Sequence, residues 1–135
     1  MDFEQTIDKA KVILADMNNI SIKNFEHNVS RVRDVVEARR MLCYFMCMEL
    51  EIQYNHVKHY IPAIKNHATA IHHVRRYDYF LSVEPHTQRK YDRFTERIYQ
   101  EEFLTIEKEI QQLVDERVEI TKQLKKLRNI IKIIK

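Results

Sequence analysis

Apolar residues recur every three or four positions along most of the chain, and this spacing predicts α-helices. The first predicted helix covers residues 3–17. It is expected to end at Asn18 and Asn19, because asparagine readily adopts the left-handed conformation that closes many helices. After a short helical turn and a loop, Ser30 can cap a long helix over residues 31–50. Apolar side chains cover most of that helix, which predicts a position at the centre of the core for Val35, Ala38, Met41, Leu42, Phe45, Met46 and Met48.

A short helix, a break and a longer helix are predicted next. The short helix covers residues 54–60 and ends before Pro62, because the residue preceding a proline is pushed out of the helical region. Asn66 is the expected cap of the longer helix, over residues 67–81. That helix should bury Ala70, Ile71, Val74, Tyr77 and Leu81 and present Thr69, His72, His73 and Arg76 to solvent. The pair is typical of a helix-turn-helix.

The C-terminal segment carries a heptad pattern. No helix-breaking residue follows Pro85, so one helix is predicted from residue 86 to the C-terminus. From residue 99 onward two seam positions repeat, the first with Phe103, Ile110, Arg117, Leu124 and Ile131, the second with Ile106, Leu113, Ile120, Leu127 and Ile134. Such a seam needs a partner. We expect a homo-oligomer through residues 99–135, with a larger bundle or a second protein as open alternatives.

The composition favours an all-α protein. The 135 residues include no glycine and two prolines, whereas average usage would supply about nine glycines. Phosphate-binding loops and dinucleotide fingerprints need glycine, so neither a nucleotide nor another cofactor is expected. No nucleophile or metal constellation emerges, and an enzyme is not expected. We predict a small helix-turn-helix domain over residues 1–98, followed by the coiled-coil helix over residues 99–135.

The charges and the cysteines indicate which partners and which cellular compartment to expect. The formal net charge is +3, and residues 21–99 carry thirteen basic and nine acidic groups together with all seven histidines. Cys43 and Cys47 lie four residues apart in a helical pattern, which is no disulfide framework and suits a reducing cytoplasm. A zinc site joining them to His56 and His59 is the alternative, but thiols on a buried helix are usually core. No signal peptide, membrane span or membrane partner is expected.

Several segments resemble the C-terminal DNA-binding domain, domain IV, of the bacterial replication initiator DnaA. IKNHATAIHHVRRY is similar to the signature of that family, and VVEARRMLCYF resembles the segment that leads into the long helix of the family. ADMNNISIKNFEHNVSRVRD upstream and HHVRRYDYFLSVEPHTQRKYDRF downstream follow the same outline. The resemblance covers roughly residues 11–98, and it does not extend to the ATPase of the initiator.

The resemblance implies a protein that binds double-stranded DNA. The second helix of the pair would enter the major groove, with Asn66, His67 and Ala68 toward the bases and Thr69 and His72 toward phosphate. Arg39 would stand where the family probes the minor groove, in keeping with the attraction of arginine to narrow minor grooves. The expected DNA-binding residues are Arg31, Arg33, Arg39, Arg40, Lys65, Asn66, His67, Ala68, Thr69, His72, His73 and Arg76.

This chain departs from the family pattern at several positions. Asn66 replaces the usual acid, and asparagine can bind adenine bidentately where a carboxylate would accept from cytosine. Ala68 replaces a hydroxyl-bearing residue, and Ala70 a larger β-branched one. One extra residue also lies in the turn, which lacks the glycines of the family. Recognition of a DNA site other than that of the initiator is therefore expected.

The favoured hypothesis is a dimeric, sequence-preferring regulator of replication or transcription, in the cytoplasm with the nucleoid, of the kind that phages and other mobile elements encode. Protonation of His67, His72 or His73 near the usual histidine pKa of ~6.5 should strengthen DNA binding. The alternative is a structural or assembly protein, in which the coiled coil is the functional part and the helix-turn-helix domain is a docking surface.

Overall fold

The computed structural model describes residues 3–27 and 32–134, and all the regular structure in these two ranges is helical, as the predicted all-α class requires. Five α-helices follow in chain order: α1 (Phe3–Asn18), α2 (Arg33–Tyr44), α3 (Val57–Tyr60), α4 (His67–Val83) and α5 (Pro85–Ile134). Between them lie two turns of 3-10 helix, Ile22–Phe25 and Tyr54–His56, and a π-helical turn, Phe45–Glu49.

Two residues in the left-handed conformation end helical segments in this glycine-free chain. Asn19 has a φ of 54°, and the N–H of Ile20 returns to the carbonyl of Ala15 at 2.9 Å, as the asparagine pair predicts. Glu51 has a φ of 57° after the π-helical turn, and the N–H of Ile52 then donates to the carbonyl of Met46 at 3.0 Å. A glutamate at such a position costs about 1 kcal/mol or more, which the surrounding structure must offset.

The central helix differs from the single α-helix predicted over residues 31–50. α2 begins at Arg33 after Val32, whose side chain makes no capping bond, while the predicted cap Ser30 lies outside the described residues. The backbone passes into the π-helical turn at Phe45. This wider turn changes the helical phase, so that Phe45 and Met46 are buried while Met48, predicted to be in the core, is 52% exposed.

The turn between α3 and α4 is held by buried side chains. Ile61, Ala63 and Ile64 are buried there, and Pro62 is exposed. The N–H of Ala63 donates to the carbonyl of Phe25 at 3.1 Å, which joins this turn to the 3-10 turn after α1. α4 packs against α2 through Ala70, Val74 and Tyr77, three of the five positions predicted to face inward. The N-terminal end of α4 is therefore held in a fixed position against the core.

The first four turns of α5 complete the core. The carboxylate of Glu84 accepts a bond from the Thr87 hydroxyl at 2.8 Å, next to the first residue of the helix, Pro85. Buried residues then follow at helical spacing, Thr87, Tyr91, Phe94 and Ile98. Phe94 meets Phe45 edge to face, with ring centroids 5.2 Å apart. α5 is thus bound to the π-helical turn.

The chain divides into two compact units, with the boundary between Ile98 and Tyr99. The first unit contains the core described above. The second is the remainder of α5, where both predicted seam positions are exposed, with Phe103 at 60% and Leu113 at 64%. No helix in residues 3–27 and 32–134 has the length and apolarity needed to cross a membrane.

A buried arginine links α2 to the turn that follows α1. The Arg39 side chain is 4% exposed. Its Nε donates to the carbonyl of Asn24 at 2.7 Å, and its Nη2 donates to the carbonyl of His27 at 2.6 Å. Charged donors make the stronger class of hydrogen bond. Arg39 therefore ties α2 to Asn24 in the 3-10 turn and to His27 just after it.

Replacing Arg39 with alanine should lower the free energy of unfolding by about 2–4 kcal/mol, because two charge-assisted hydrogen bonds to backbone carbonyls are lost. Urea unfolding followed by far-UV circular dichroism measures the change. Arg33→Ala is the matched control, since Arg33 is exposed on the same helix and its removal should change stability by no more than about 0.5 kcal/mol. Equal stability of the two variants would contradict this role of Arg39.

Candidate nucleic-acid interface

Asn66 forms the cap of α4, as its position predicts. Its Oδ1 accepts the backbone N–H of Thr69 at 2.9 Å and the Thr69 hydroxyl at 3.0 Å. The cap places His67 and Ala68 in the first turn, where both are exposed. Asn66 cannot offer both its amide oxygen and its amide nitrogen to adenine while it caps the helix. The bidentate contact expected for it therefore requires the cap to break.

The outer face of α4 is formed by four exposed residues at helical spacing. Ala68 and His72, both expected to contact DNA, share this face with Arg75 and Tyr79. Tyr79 was not among the residues expected to contact DNA, although its spacing of four residues from Arg75 places it on this face. The face thus combines a methyl group, an imidazole, a guanidinium and a phenol.

Arg40 of α2 and Arg76 of α4 are near enough for their charges to interact. The guanidinium carbon of Arg76 is 5.2 Å from the centroid of the Phe80 ring, a cation–π contact. Arg40 is half-buried, and its buried Nε finds no acceptor in the described part of the chain. Burial, followed by the charge of Arg76, lowers the pKa of Arg40, and Glu37 opposes this shift. The two positive charges are therefore near enough to repel each other.

His73 lies beside this arginine pair and differs from the exposed imidazole that was expected. It is half-buried, and its Nδ1 has no hydrogen-bond partner among the described residues. Burial, and then the charges of Arg40, His72 and Arg39, lower the pKa of His73 to about 4. The expectation that His73 gains charge near pH 6.5 is therefore wrong, and at neutral pH this ring is uncharged.

Arg39 is not placed to probe a minor groove. Its guanidinium is buried and bonded to the carbonyls of Asn24 and His27, so the expected DNA contact is corrected to a structural role. Sequence spacing alone did not separate Arg39, on the buried side of α2, from its half-buried neighbour Arg40. Arg31, also expected to contact DNA, lies outside the described residues.

The remaining residues that were expected to contact DNA lie at or near the N-terminal ends of α4 and α2. Lys65 is exposed immediately before the cap, and Thr69 is half-buried, with its hydroxyl directed to Asn66. Arg33 is exposed in the first turn of α2 and lines an open depression of about 490 Å³, together with Arg40, Tyr77 and Lys90. The structure thus brings Arg40, His73 and Arg76 together, whereas Lys65 and Arg33 stand at the ends of two helices.

The Cys43 thiol belongs to the packing between α2 and α4. Cys43 is buried, and its Sγ donates to the carbonyl of Ala70 at 3.6 Å. A hydrogen bond with the Cys47 thiol, together with burial, raises the pKa of Cys43. No group of three or more histidine, cysteine or acidic residues suited to a metal ion occurs within the described ranges. Cys43 acts here as a core residue that touches the first turn of α4.

Comparison with known proteins places the chain in no family. No protein-family model matches it, and no curated protein matches it. The candidate interface is therefore defined by its own geometry, which consists of the capped start of α4, the exposed outer face of that helix and the arginine pair at the junction with α2.

The low pKa of His73 should appear in the pH dependence of stability. The unfolded ring binds a proton near pH 6.5 and the folded ring near pH 4, so the unfolded state holds more protons in this interval. The free energy of unfolding should fall as pH falls from 6.5 to 4, and His73→Gln should flatten that fall. Denaturant unfolding at several pH values measures it.

His67→Gln is the matched control for this measurement, because it removes an exposed imidazole from the same helix. It should keep the pH dependence of the unmodified protein. Identical pH profiles for the two variants would contradict the assignment of the shift to His73.

Proposed function

We propose that this protein binds double-stranded DNA with a sequence preference, using α4 as the helix that reads the major groove. The observation that carries the proposal is the exposed outer face of α4, with Ala68, His72 and Arg75, next to the mutually repelling charges of Arg40 and Arg76. Like charges held together in a protein repel each other, and an anion placed between them relieves that repulsion. A backbone phosphate is the anion that a DNA duplex supplies in a regular array.

The arrangement of α3 and α4 supports the same proposal. A four-residue helix, a turn anchored by Ile61 and Ile64, and a seventeen-residue helix with an exposed outer face have the outline of a helix-turn-helix. In such proteins the N-terminal residues of the second helix contact the bases. His67 and Ala68 occupy this position, with an imidazole for hydrogen bonding and a methyl group for contact with thymine. We assign base reading to this first turn.

The resemblance to the DNA-binding domain of DnaA leads to the same surface and is part of the proposal. Asn66 to Thr69 stand where that family reads bases and holds phosphate. The chain keeps the polar first turn, and its asparagine cap and Ala68 alter the expected base preference. We propose a role in regulating replication or transcription from a site that differs from the initiator's own, with the second unit joining two copies.

An assembly protein is the second candidate, and the second unit favours it. Residues 103–134 present a long apolar stripe that is exposed along its whole length. In an assembly protein this stripe would be the functional part, and the first unit would dock onto another protein. One measurement distinguishes the two candidates. Only a DNA-binding protein, once purified, binds duplexes with an affinity that depends on salt.

Duplex affinity should fall steeply with salt. Five exposed or half-buried basic side chains surround α4 and the start of α2: Arg33, Arg40, Lys65, Arg75 and Arg76. If each meets one phosphate, the slope of log affinity against log salt is about −4 to −5, at ~0.9 per phosphate. Arg76→Ala should weaken all duplexes and reduce the slope by about 1. Fluorescence anisotropy with labelled duplexes measures both quantities.

Arg93→Ala is the control for Arg76→Ala, because Arg93 is an exposed arginine of the first unit that lies on α5, outside the proposed surface. Its affinity and slope should match those of the unmodified protein. A salt slope near zero would contradict DNA binding itself, and equal losses in the two arginine variants would contradict the choice of surface.

Base preference should change when the first turn of α4 changes. His67→Ala should cost about 1–3 kcal/mol on the preferred site and flatten the preference, while Thr69→Ala should weaken all duplexes alike. Asn66→Asp retains an oxygen that can cap the helix and replaces the amide by a carboxylate, so it should favour cytosine at the base it faces. Selection from a random duplex pool measures the preference of each variant.

Circular dichroism must first show that each variant keeps its helical content, because residues at a cap also affect stability. If His67→Ala and Asn66→Asp select the same sequences as the unmodified protein, another element reads the DNA.

A further inference from the structure

We propose that the exposed seam of α5 pairs with a second copy of the same chain in antiparallel orientation, and that the dimer bridges two DNA duplexes. The pairing is argued from the second unit alone. The bridging rests on the proposed DNA-binding function, and its test is separate from the test of pairing.

The seam is apolar and uncovered within the described chain. All ten seam residues from Phe103 to Ile134 are exposed, and nine of them are apolar, Arg117 being the exception. Val114 and Val118 lie beside the seam and are also exposed, at 47% and 48%. A stripe of this length on one helix is typical of a surface that a partner helix covers.

The charges along this helix identify the partner and its direction. Residues 101–116 carry six acidic groups and one basic group, a net charge of −5. Residues 117–135 carry seven basic groups and one acidic group, a net charge of +6. Two parallel copies would place like charges together along both halves, whereas two antiparallel copies place each acidic half against a basic half. The helix is therefore electrostatically complementary to a reversed copy of itself.

The seam has a register that fits this orientation. When facing residues have numbers that sum to 237, every apolar seam residue except Ile120 meets an apolar seam residue of the second copy, and Ile120 meets Arg117 near the centre. The facing pairs are Phe103 with Ile134, Ile106 with Ile131, Ile110 with Leu127, Leu113 with Leu124, and Arg117 with Ile120. A central charged seam residue disfavours other registers, at a cost in stability.

This orientation sets where the first units attach. Each first unit is joined to its helix at residue 99, at the N-terminal end of the seam. In the proposed register, positions 101 of the two copies are 35 residues apart along the pair, or about 50 Å at ~1.5 Å per residue. The two DNA-binding units are thus connected at opposite ends of the paired helices, which suits the binding of two separate duplexes rather than of adjacent half-sites.

Sedimentation of the full chain tests the pairing. A dimer is expected at micromolar concentration, and Leu113→Asp should raise its dissociation constant at least tenfold, because Leu113 faces Leu124 of the second copy. Gln112→Asp adds the same charge one residue away from the seam and should leave the dimer intact. A monomer, a trimer or a tetramer of the unmodified chain would overturn the proposal, as would equal effects of the two substitutions.

Spin labels test the orientation. The full chain for this experiment carries Cys43→Ala and Cys47→Ser. Glu101→Cys then places a label on the side of the helix away from the seam. Pulsed electron paramagnetic resonance should then give a distance of about 50 Å or more between the two labels. A distance near 20 Å, the width of a helix pair with its labels, would show parallel pairing and overturn the proposal.

Bridging is tested by capturing a free labelled duplex on beads that carry a second duplex. The unmodified dimer and Gln112→Asp should capture it, and Leu113→Asp should lose most of the capture while each copy still binds one duplex by anisotropy. An antiparallel dimer that binds single duplexes and captures none would overturn the bridging. Loss of all duplex binding would instead remove the proposed function, and the sedimentation and distance results would still decide the pairing.

Discussion

The contact between α2 and α4 determines the rest of the first unit. Ala70 is completely buried there, and the Cys43 thiol donates directly to its carbonyl. Small side chains at a helix contact allow a short distance between the helix axes. Because α4 packs on α2, Arg76 is near enough to Arg40 to lower its pKa, and Arg40 is near enough to His73 to lower the pKa of that ring. The electrostatics of the candidate interface is thus a result of core packing.

Local chemical signals made much of the fold predictable. Three of these signals lie at Asn19, at Asn66 and at the Ile61–Pro62 step. Each acts through its own backbone conformation or through a bond within three residues, and each has its predicted role. The long C-terminal helix begins at Pro85, one residue before its predicted start. Helical periodicity also identified Ala70, Val74 and Tyr77 as the inner face of α4. Such signals do not depend on which other segments pack nearby.

The parts that could not be predicted depend on contacts distant in sequence. The burial of Arg39 requires the carbonyls of Asn24 and His27 to converge on it, and the low pKa of His73 requires packing against the arginines of α2. The π-helical turn at Phe45 lies where α2 meets Phe94 of α5, 49 positions later. At the candidate interface, residue types on α4 could be placed on the outer face from spacing, but the pairing of Arg40 with Arg76 could not.

Burying Arg39 has a consequence for the electric potential outside the protein. A guanidinium stays charged at any ordinary pH, and mobile ions cannot approach a buried one closely. Salt therefore screens the field of Arg39 less than that of an exposed arginine. The charge already acts at a distance, because it contributes to the low pKa of His73. Arg39 thus adds a positive potential beneath the junction of α2 and α4 that salt weakens less than it weakens the potential of an exposed arginine.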